Sequence, residues 1–169
     1  MTFDQNEARK DFLPIYVGSN FDNSDPDITA SLISHELFLA HSYVQSKDNP
    51  EEHNPTCLDM ITKAFYDQVV FIMSQENLRE RVYTYQELHF EELINDVPDR
   101  ETTNMDILAM RGIAAQTAVA ECSELIESGA VAEEELQICT LHTLYKNLEE
   151  SVYGNSWYRD YCNSHHNFE

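Results

Sequence analysis

The chain has 169 residues, 42% of them hydrophobic, and its formal net charge is -21, because 31 acidic residues stand against only ten Lys and Arg. This hydrophobic content excludes a chain that is disordered throughout, and no run approaches the roughly 18 apolar residues of a membrane-spanning helix. The negative charge also disfavours direct binding to nucleic acid or to an anionic membrane.

The first 25 residues predict an irregular arm with one short apolar segment, residues 12–17, which suits a strand or a core-packing arm. Asp25 and Pro26 then predict the start of a helix that runs to about Gln45, because Asp caps helices well and Pro suits the first helical position. Glu36 falls in the middle of the apolar arc of this helix, where a carboxylate is either paired or part of a site.

Two further helices follow. Asn54 and Pro55 repeat the cap-and-proline pattern and predict a second helix to about Gln75. Residues 76–84 are ambiguous, because they suit a continuing helix while residues 82–85 alternate like a short strand. A third helix is expected from about residue 85 to residue 95.

The stretch from Asn104 to Gly129 predicts the central helix of the fold. Asn104 suits the N-cap, and Gly129 suits the left-handed residue after a helix. Arg111 lies inside the apolar stripe, which implies an acidic partner or a position at its edge. At 100° per residue the broad apolar face contains Ile107, Ala114, Ala115, Ala118, Cys122 and Leu125.

A fifth helix is predicted over residues 132–153, with an inner stripe that begins at Ile138 and ends at Val152. Residues 155–169 are expected to form a partly frayed tail, with room for one more helical turn around Trp157 and Tyr161. Together these elements predict an all-α, single-domain bundle of about five helices, with the irregular arm in front and room for one short β-hairpin.

The four cysteines are widely spaced and contain no C-x-x-C pair. They are interpreted as small buried hydrophobic residues in a reducing compartment. Because the N-terminal segment also lacks the apolar core of a leader peptide, the expected location is the cytoplasm, that of the host cell if the protein is viral. The four are Cys57, Cys122, Cys139 and Cys162.

Acidic residues gather in runs that lack interspersed Lys, so the repulsion between them is left uncompensated. No Lys or Arg occurs between Arg111 and Lys146. One run spans residues 91–106, and a second contains Glu121, Glu124, Glu127 and residues 133–135. The predicted partner-binding surface consists of Glu91, Glu92, Asp96, Asp99 and Glu101, followed by Glu133, Glu134, Glu135, Glu149 and Glu150.

Metal and catalytic sites are the alternative use of the acidic and histidine residues. A carboxylate-bridged metal site in a bundle needs Glu-x-x-His steps, and none occurs among the candidates. Glu121-x-x-Glu124 resembles half of the acidic signature of all-helical nucleotide pyrophosphohydrolases, but the second half is missing. The sequence therefore predicts no catalytic residues, no metal and no cofactor. The metal candidates are His35, Glu36, His41, His89, Glu121, Glu124 and His142.

A buried polar pair is the simpler interpretation of the inward charges. Glu36 and Arg111 are predicted to face each other, because an intact buried pair is tolerated while a single buried charge is costly.

In charge, size and helicity the chain is similar to small viral proteins that imitate DNA and block restriction enzymes or other host defences. The predicted function is a non-enzymatic inhibitor that binds a basic, nucleic-acid-handling protein by imitating phosphates, and a homodimer is left open. Two alternatives remain: a helical-bundle enzyme with a buried carboxylate or metal site, and an immunity protein that neutralises a basic toxin.

Overall fold

The computed structural model describes residues 2–3, 15–16, 25–48, 56–94 and 102–165. Within these residues the all-α prediction is confirmed, with six helices in place of about five. Among the described helices we find no candidate for a membrane-spanning segment. The helices are α1 (Pro26–Asp48), α2 (Cys57–Ser74), α3 (Glu76–Ile94), α4 (Asn104–Glu127), α5 (Leu136–Gly154) and α6 (Ser156–His165).

Two short strands belong to the N-terminal arm. Strand β1 (Thr2–Phe3) pairs antiparallel with β2 (Ile15–Tyr16), so that Thr2 lies opposite Tyr16 and Phe3 opposite Ile15. Strand β2 lies inside the predicted apolar segment 12–17. Apart from Asp25, the other residues predicted for the arm lie outside the described part of the chain.

The chain divides into two compact units. Unit 1 consists of Met1–Gln68 and Glu149–Glu169, and unit 2 consists of Val69–Leu148. Both boundaries fall inside helices, one in α2 and one in α5.

In unit 1, helix α1 begins as the sequence predicts. The Asp25 carboxylate accepts hydrogen bonds from the main-chain N–H groups of Asp27 and Ile28, at 3.0 and 3.2 Å. These bonds satisfy two of the N–H groups that a helix start leaves without partners. Further along, the Gln68 amide of α2 donates to the buried main-chain oxygen of Ser31 at 3.3 Å.

Helix α2 begins with a reciprocal cap. The Asp59 main-chain N–H donates to Thr56 Oγ1 at 3.2 Å, and the Thr56 N–H donates to the Asp59 carboxylate at 2.8 Å. This arrangement is a capping box, which satisfies two N–H groups at once. The predicted cap at Asn54 and Pro55 lies outside the described residues.

A disulfide joins Cys57 at the start of α2 to Cys162 in α6, across 105 residues. Cys57 and Cys162 are therefore not the reduced cysteines that the sequence suggested. In the predicted tail, helix α6 covers ten residues, more than the single turn that was expected. In α6 the apolar stripe has only two inward positions, Tyr158 and Cys162. A stripe this short gives a weak periodic signal, and the cross-link fixes the helix.

In unit 2, the ambiguous residues 76–84 are helical and belong to α3. Leu78, Val82 and Gln86 are buried, and their spacing of four residues places them on one side of the helix. The alternation over residues 82–85 is thus part of a helical pattern. A kink at His89, with φ -121° and ψ 15°, marks the last turns of α3.

Helices α3 and α4 meet at Gly112. A methyl group added to Gly112 would come within 2.5 Å of the Gln86 amide nitrogen and 2.7 Å of Val82 Cγ1. The same Gln86 amide donates a hydrogen bond to the main-chain oxygen of Ala109. Only a residue without a side chain allows this approach, so glycine here serves packing.

The N-cap of α4 is Thr103, and the prediction of Asn104 is wrong by one residue. Thr103 and Asp106 form a capping box, and the buried Asp106 carboxylate also accepts a hydrogen bond from Tyr85 Oη at 2.8 Å. A capping box needs an acid three residues after the cap. Thr103 has Asp106 at that position and Asn104 has no acid there, so the reciprocal bonds make Thr103 the N-cap. The buried residues of α4 are Asp106, Leu108, Ala109, Gly112, Ala115, Ala118 and Cys122.

Candidate partner-binding surface

The densest stretch of acidic residues in the described chain lies where α4 leads into α5, and we call residues 121–139 the α4–α5 hairpin. Helix α4 is followed by Gly129 in the left-handed conformation, with φ +75°. The main-chain N–H of Ala130 then donates back to the oxygen of Leu125 at 2.9 Å. This turn confirms the predicted role of Gly129, which an L side chain would strain.

A second disulfide closes the hairpin. Cys122 of α4 is bonded to Cys139 of α5, 17 residues away. The Thr143 hydroxyl lies 3.3 Å from Cys122 Sγ and donates to it, because a disulfide sulfur has no proton to give. The two helices are thus linked covalently at the base of a tip that has little core of its own.

Six carboxylates of the hairpin are exposed. Among the described residues, only two of the six have a hydrogen-bond partner: Asn147 Nδ2 donates to Glu121 at 3.1 Å, and the Ala132 N–H donates to Glu135 at 3.4 Å. None of the six forms an ion pair with a described residue. The six are Glu121, Glu124, Glu127, Glu133, Glu134 and Glu135.

Apolar side chains are exposed among these acids. Ile138 is 72% exposed, and Leu125 and Leu136 are also exposed. Ile138 was predicted to begin the inner stripe of α5, but burial begins later, at Leu144 and Leu148. The hairpin surface therefore combines negative charge with exposed apolar side chains.

The predicted partner-binding residues fall into separate segments. Glu133, Glu134 and Glu135 form one 3-10 turn in the hairpin. Glu149 is half-buried and Glu150 exposed in the part of α5 that belongs to unit 1.

The first predicted patch is described only in part. Glu91 and Glu92 are exposed in the last turns of α3, and the Glu92 carboxylate lies 3.2 Å from His89 Nδ1. Asp96, Asp99 and Glu101 lie outside the described residues, so the patch that was expected to unite these five acids stays a prediction.

Glu121, Glu124 and Glu127 belong to the second acidic run but were not among the residues predicted for the partner-binding surface. Their three-residue spacing was the available signal, because it drifts by only about 60° per step around a helix. What the spacing did not reveal is that this side of α4 is exposed while the opposite side carries Ala115, Ala118 and Cys122 into the interior.

Glu36 and Arg111 belong to different units. Glu36 is 8% exposed, which agrees with its place in the apolar arc of α1, and Arg111 is half-buried. Burial, together with the negative charge of Glu36, raises the pKa of Tyr161 in α6. The pairing of Glu36 with Arg111 stays a prediction.

A small network at the edge of unit 1 joins α2 to α5. Tyr153 Oη donates to the Asp59 carboxylate at 2.6 Å and lies 3.2 Å from Thr56 Oγ1. Partial burial acts to raise the pKa of Asp59, but the hydrogen bonds from Tyr153 and Thr56 outweigh it and lower that pKa. The same hydrogen bond raises the pKa of Tyr153.

Within the described ranges, no three His, Cys, Asp or Glu side chains converge in a way that would hold a metal ion. A comparison of the chain with known protein families, with curated proteins and with solved structures finds no match.

Proposed function

We propose that this chain is a non-enzymatic acidic inhibitor that binds a basic, nucleic-acid-handling protein through the α4–α5 hairpin. The observation that carries the proposal is the set of six exposed carboxylates, which no cation of the described chain neutralises. Uncompensated like charges destabilise a compact fold. A surface that keeps them is best explained by a partner that supplies the missing positive charge.

The spacing of the carboxylates supports mimicry of phosphates. Glu121, Glu124 and Glu127 follow one another at steps of about 4.5 Å along the axis of α4. Phosphates of one DNA strand are spaced by about 3.4 Å along the duplex axis. A basic groove that accepts a strand of phosphates therefore meets a comparable row of negative charges.

The hairpin disulfide supports the same proposal. Closing a loop of 17 residues in the unfolded chain contributes about 3 kcal/mol to the stability of the fold. This contribution offsets the repulsion at a tip that buries little apolar surface. A backbone held by the cross-link also loses less conformational entropy when the hairpin binds a partner.

A matched pair of variants tests the proposal. In Glu121→Gln/Glu124→Gln/Glu127→Gln the row is neutralised, and in Glu76→Gln/Glu80→Gln/Glu87→Gln an equal number of exposed acids on α3 is neutralised. The partner is isolated from host lysate on the immobilised chain at low ionic strength. We expect the hairpin variant to bind it more weakly, mainly through slower association, and the α3 variant to bind it almost normally.

Two further readouts decide between mimicry and simple charge attraction. Binding should weaken steeply as the screening length falls from about 30 Å at 0.01 M salt to 3 Å at 1 M, and duplex DNA or RNA should compete for the same site. A complex that is insensitive to salt, and whose partner still holds its nucleic acid, rules out mimicry. Equal losses of affinity in both variants would show that binding depends on net charge and not on the hairpin.

A second candidate is an immunity protein that neutralises a basic toxin, and the two disulfides favour it. Disulfides persist in oxidising compartments and are rare in the cytosol, whereas the sequence led us to expect a cytoplasmic protein. Alkylation of thiols in intact producing cells distinguishes the compartments, because only reduced cysteines are modified. Protected cysteines, with a partner that DNA does not displace, favour the immunity protein.

A further inference from the structure

The only Trp of the chain lies on an open side of α6 in unit 1. Trp157 is 63% exposed. Its ring stacks on Tyr161, with centroids 5.6 Å apart and planes at 18°, and it meets the edge of Tyr158 at 5.1 Å. Tyr158 in turn contacts the buried Phe65 at 5.6 Å. The indole is thus positioned by other rings while most of its surface remains open.

An exposed carboxylate accompanies this ring. Asp160 follows Trp157 by three residues, and side chains at that spacing are neighbours on a helix, with about 5–6 Å between their Cβ atoms. Ser164 donates to the main-chain oxygen of Asp160. The Asp160 carboxylate itself has no hydrogen bond or ion pair within the described residues.

The chain already combines these groups around one of its own cations. Lys63 Nζ lies 4.7 Å from the ring centroid of Tyr66 and 5.4 Å from that of Phe38. The same ammonium is 3.1 Å from the Asp67 carboxylate. Aromatic faces and a carboxylate together therefore bind a cation in this fold. Among the described residues, no Lys or Arg lies over the ring of Trp157.

We infer that Trp157, Asp160 and Tyr161 form a receptor for one arginine side chain of the basic partner, an inference that rests on the proposed function. Indole is the best aromatic receptor for a cation. A guanidinium stacks on an aromatic face while its N–H groups pair with a carboxylate, which an ammonium does less well. Exposed Trp and Tyr are also the residues that most often dominate binding energy.

The test uses the disulfide-intact full chain. Hexa-arginine amide is titrated into it while the fluorescence of Trp157 is followed, which reports on this position alone because the chain has one Trp. A citrulline peptide of equal length serves as the uncharged control. We expect a saturable change with the arginine peptide and none with the citrulline peptide.

Variants locate the binding. Trp157→Leu, measured by the anisotropy of a labelled arginine peptide, should lower the affinity about tenfold and leave its salt dependence almost unchanged. Asp160→Asn should lower the affinity less but reduce the salt dependence, because it removes a charge. Phe90→Leu is the matched control, since Phe90 is an aromatic residue of α3 that is 48% exposed. Far-ultraviolet circular dichroism should be the same for all the variants.

Each outcome decides the inference. It is overturned if both peptides change the fluorescence equally, if Trp157→Leu and Phe90→Leu lose the same affinity, or if the arginine peptide does not bind. It also fails, while the proposed function stands, if the hairpin variant loses the natural partner and Trp157→Leu binds that partner normally. Capture of the partner at low salt tests the proposed function independently of the arginine peptide.

Discussion

The two halves of helix α4 are held in place by different forces. The N-terminal half packs against α3, with Gly112 close to Gln86 and with the buried Asp106 bonded to Tyr85. The C-terminal half leads into the α4–α5 hairpin, where the carboxylates are exposed and the Cys122–Cys139 disulfide joins the helix to α5. One helix thus passes from a region held by side-chain packing to a region held by a covalent bond.

This difference follows from what each half contains. Small and apolar residues in the first half allow close packing, and burial of apolar surface contributes roughly 25 cal/mol per Å². The acidic tip of the hairpin offers little such surface and adds repulsion. A cross-link acts mainly on the unfolded chain, so it stabilises a region whatever its surface charge.

The largest expected effect comes from removing the cross-links. Replacing Cys122 and Cys139 with Ala should lower the free energy of unfolding by about 3 kcal/mol, and replacing Cys57 and Cys162 by about 4.7 kcal/mol, because the closed loops differ in length. Urea denaturation of the two double variants measures both values. Equal losses, or free thiols titrated in the purified protein under denaturing conditions, would contradict this account.

Substitutions of the two glycines distinguish the stability cost of overpacking from that of backbone strain. Gly112→Ala should destabilise the fold by about 1–3 kcal/mol through overpacking, because the new methyl group would meet Gln86 and Val82. Gly129→Ala should cost about 1–2 kcal/mol through its left-handed backbone, since nothing lies near it. Thermal unfolding measures both.

Asn substitutions are the control for that comparison. Asn adopts the left-handed conformation more readily than Ala, so Gly129→Asn should be milder than Gly129→Ala. Gly112→Asn should be worse than Gly112→Ala, because the side chain is larger. If Asn were the milder substitution at both positions, the packing explanation of Gly112 would be wrong.

A smaller effect, dependent on pH, is expected at the Asp59–Tyr153 hydrogen bond of unit 1. Because the pKa of Asp59 is lowered in the fold, its contribution is present above the unfolded value of about 4 and is lost as the pH falls through the folded value. Tyr153→Phe should lower stability at pH 7 by less than about 1 kcal/mol. The difference from the parent chain should shrink in acid, as denaturation at pH 7 and pH 3 would show. An unchanged difference would show that the hydroxyl does not act through Asp59.

The smallest effect concerns charge on the hairpin. The Glu121→Gln/Glu124→Gln/Glu127→Gln variant should be more stable than the parent by a few tenths of a kcal/mol at low salt, because repulsion is relieved. The gain should vanish at 1 M salt, where charges are screened within about 3 Å. A loss of stability that persists at high salt would show that these carboxylates support the fold.

Local features of the fold were predictable from the sequence. Asp25 caps α1, Gly129 adopts a positive φ, and the buried residues Ile61, Phe65 and Val69 recur at every fourth position of α2. These features depend on residues within one or two helical turns, which is the range over which capping and periodicity act. The N-cap of α4 shows the limit, because Asn104 was the predicted cap and the reciprocal bonds between Thr103 and Asp106 place it one residue earlier.

The acidic composition of the candidate site was predictable from the sequence, but the arrangement of its side chains was not. The absence of Lys and Arg between Arg111 and Lys146 identified the acidic run, but not which of its carboxylates share an exposed side. Ile138 and Trp157 belong to apolar patterns, yet both are exposed. Periodicity shows which residues share a face of a helix. It does not show how far along the helix a neighbouring element covers that face.

The sequence by itself therefore determined the all-α class, the positions of most helix ends and the net charge, since each follows from local or summed properties of the residues. Only the tertiary structure decided how the cysteines pair, because four cysteines allow three pairings and the choice depends on which helices bring Cα atoms within reach, here 5.8 and 5.9 Å. The same long-range packing decided which side of α4 is buried and left its carboxylates on the surface.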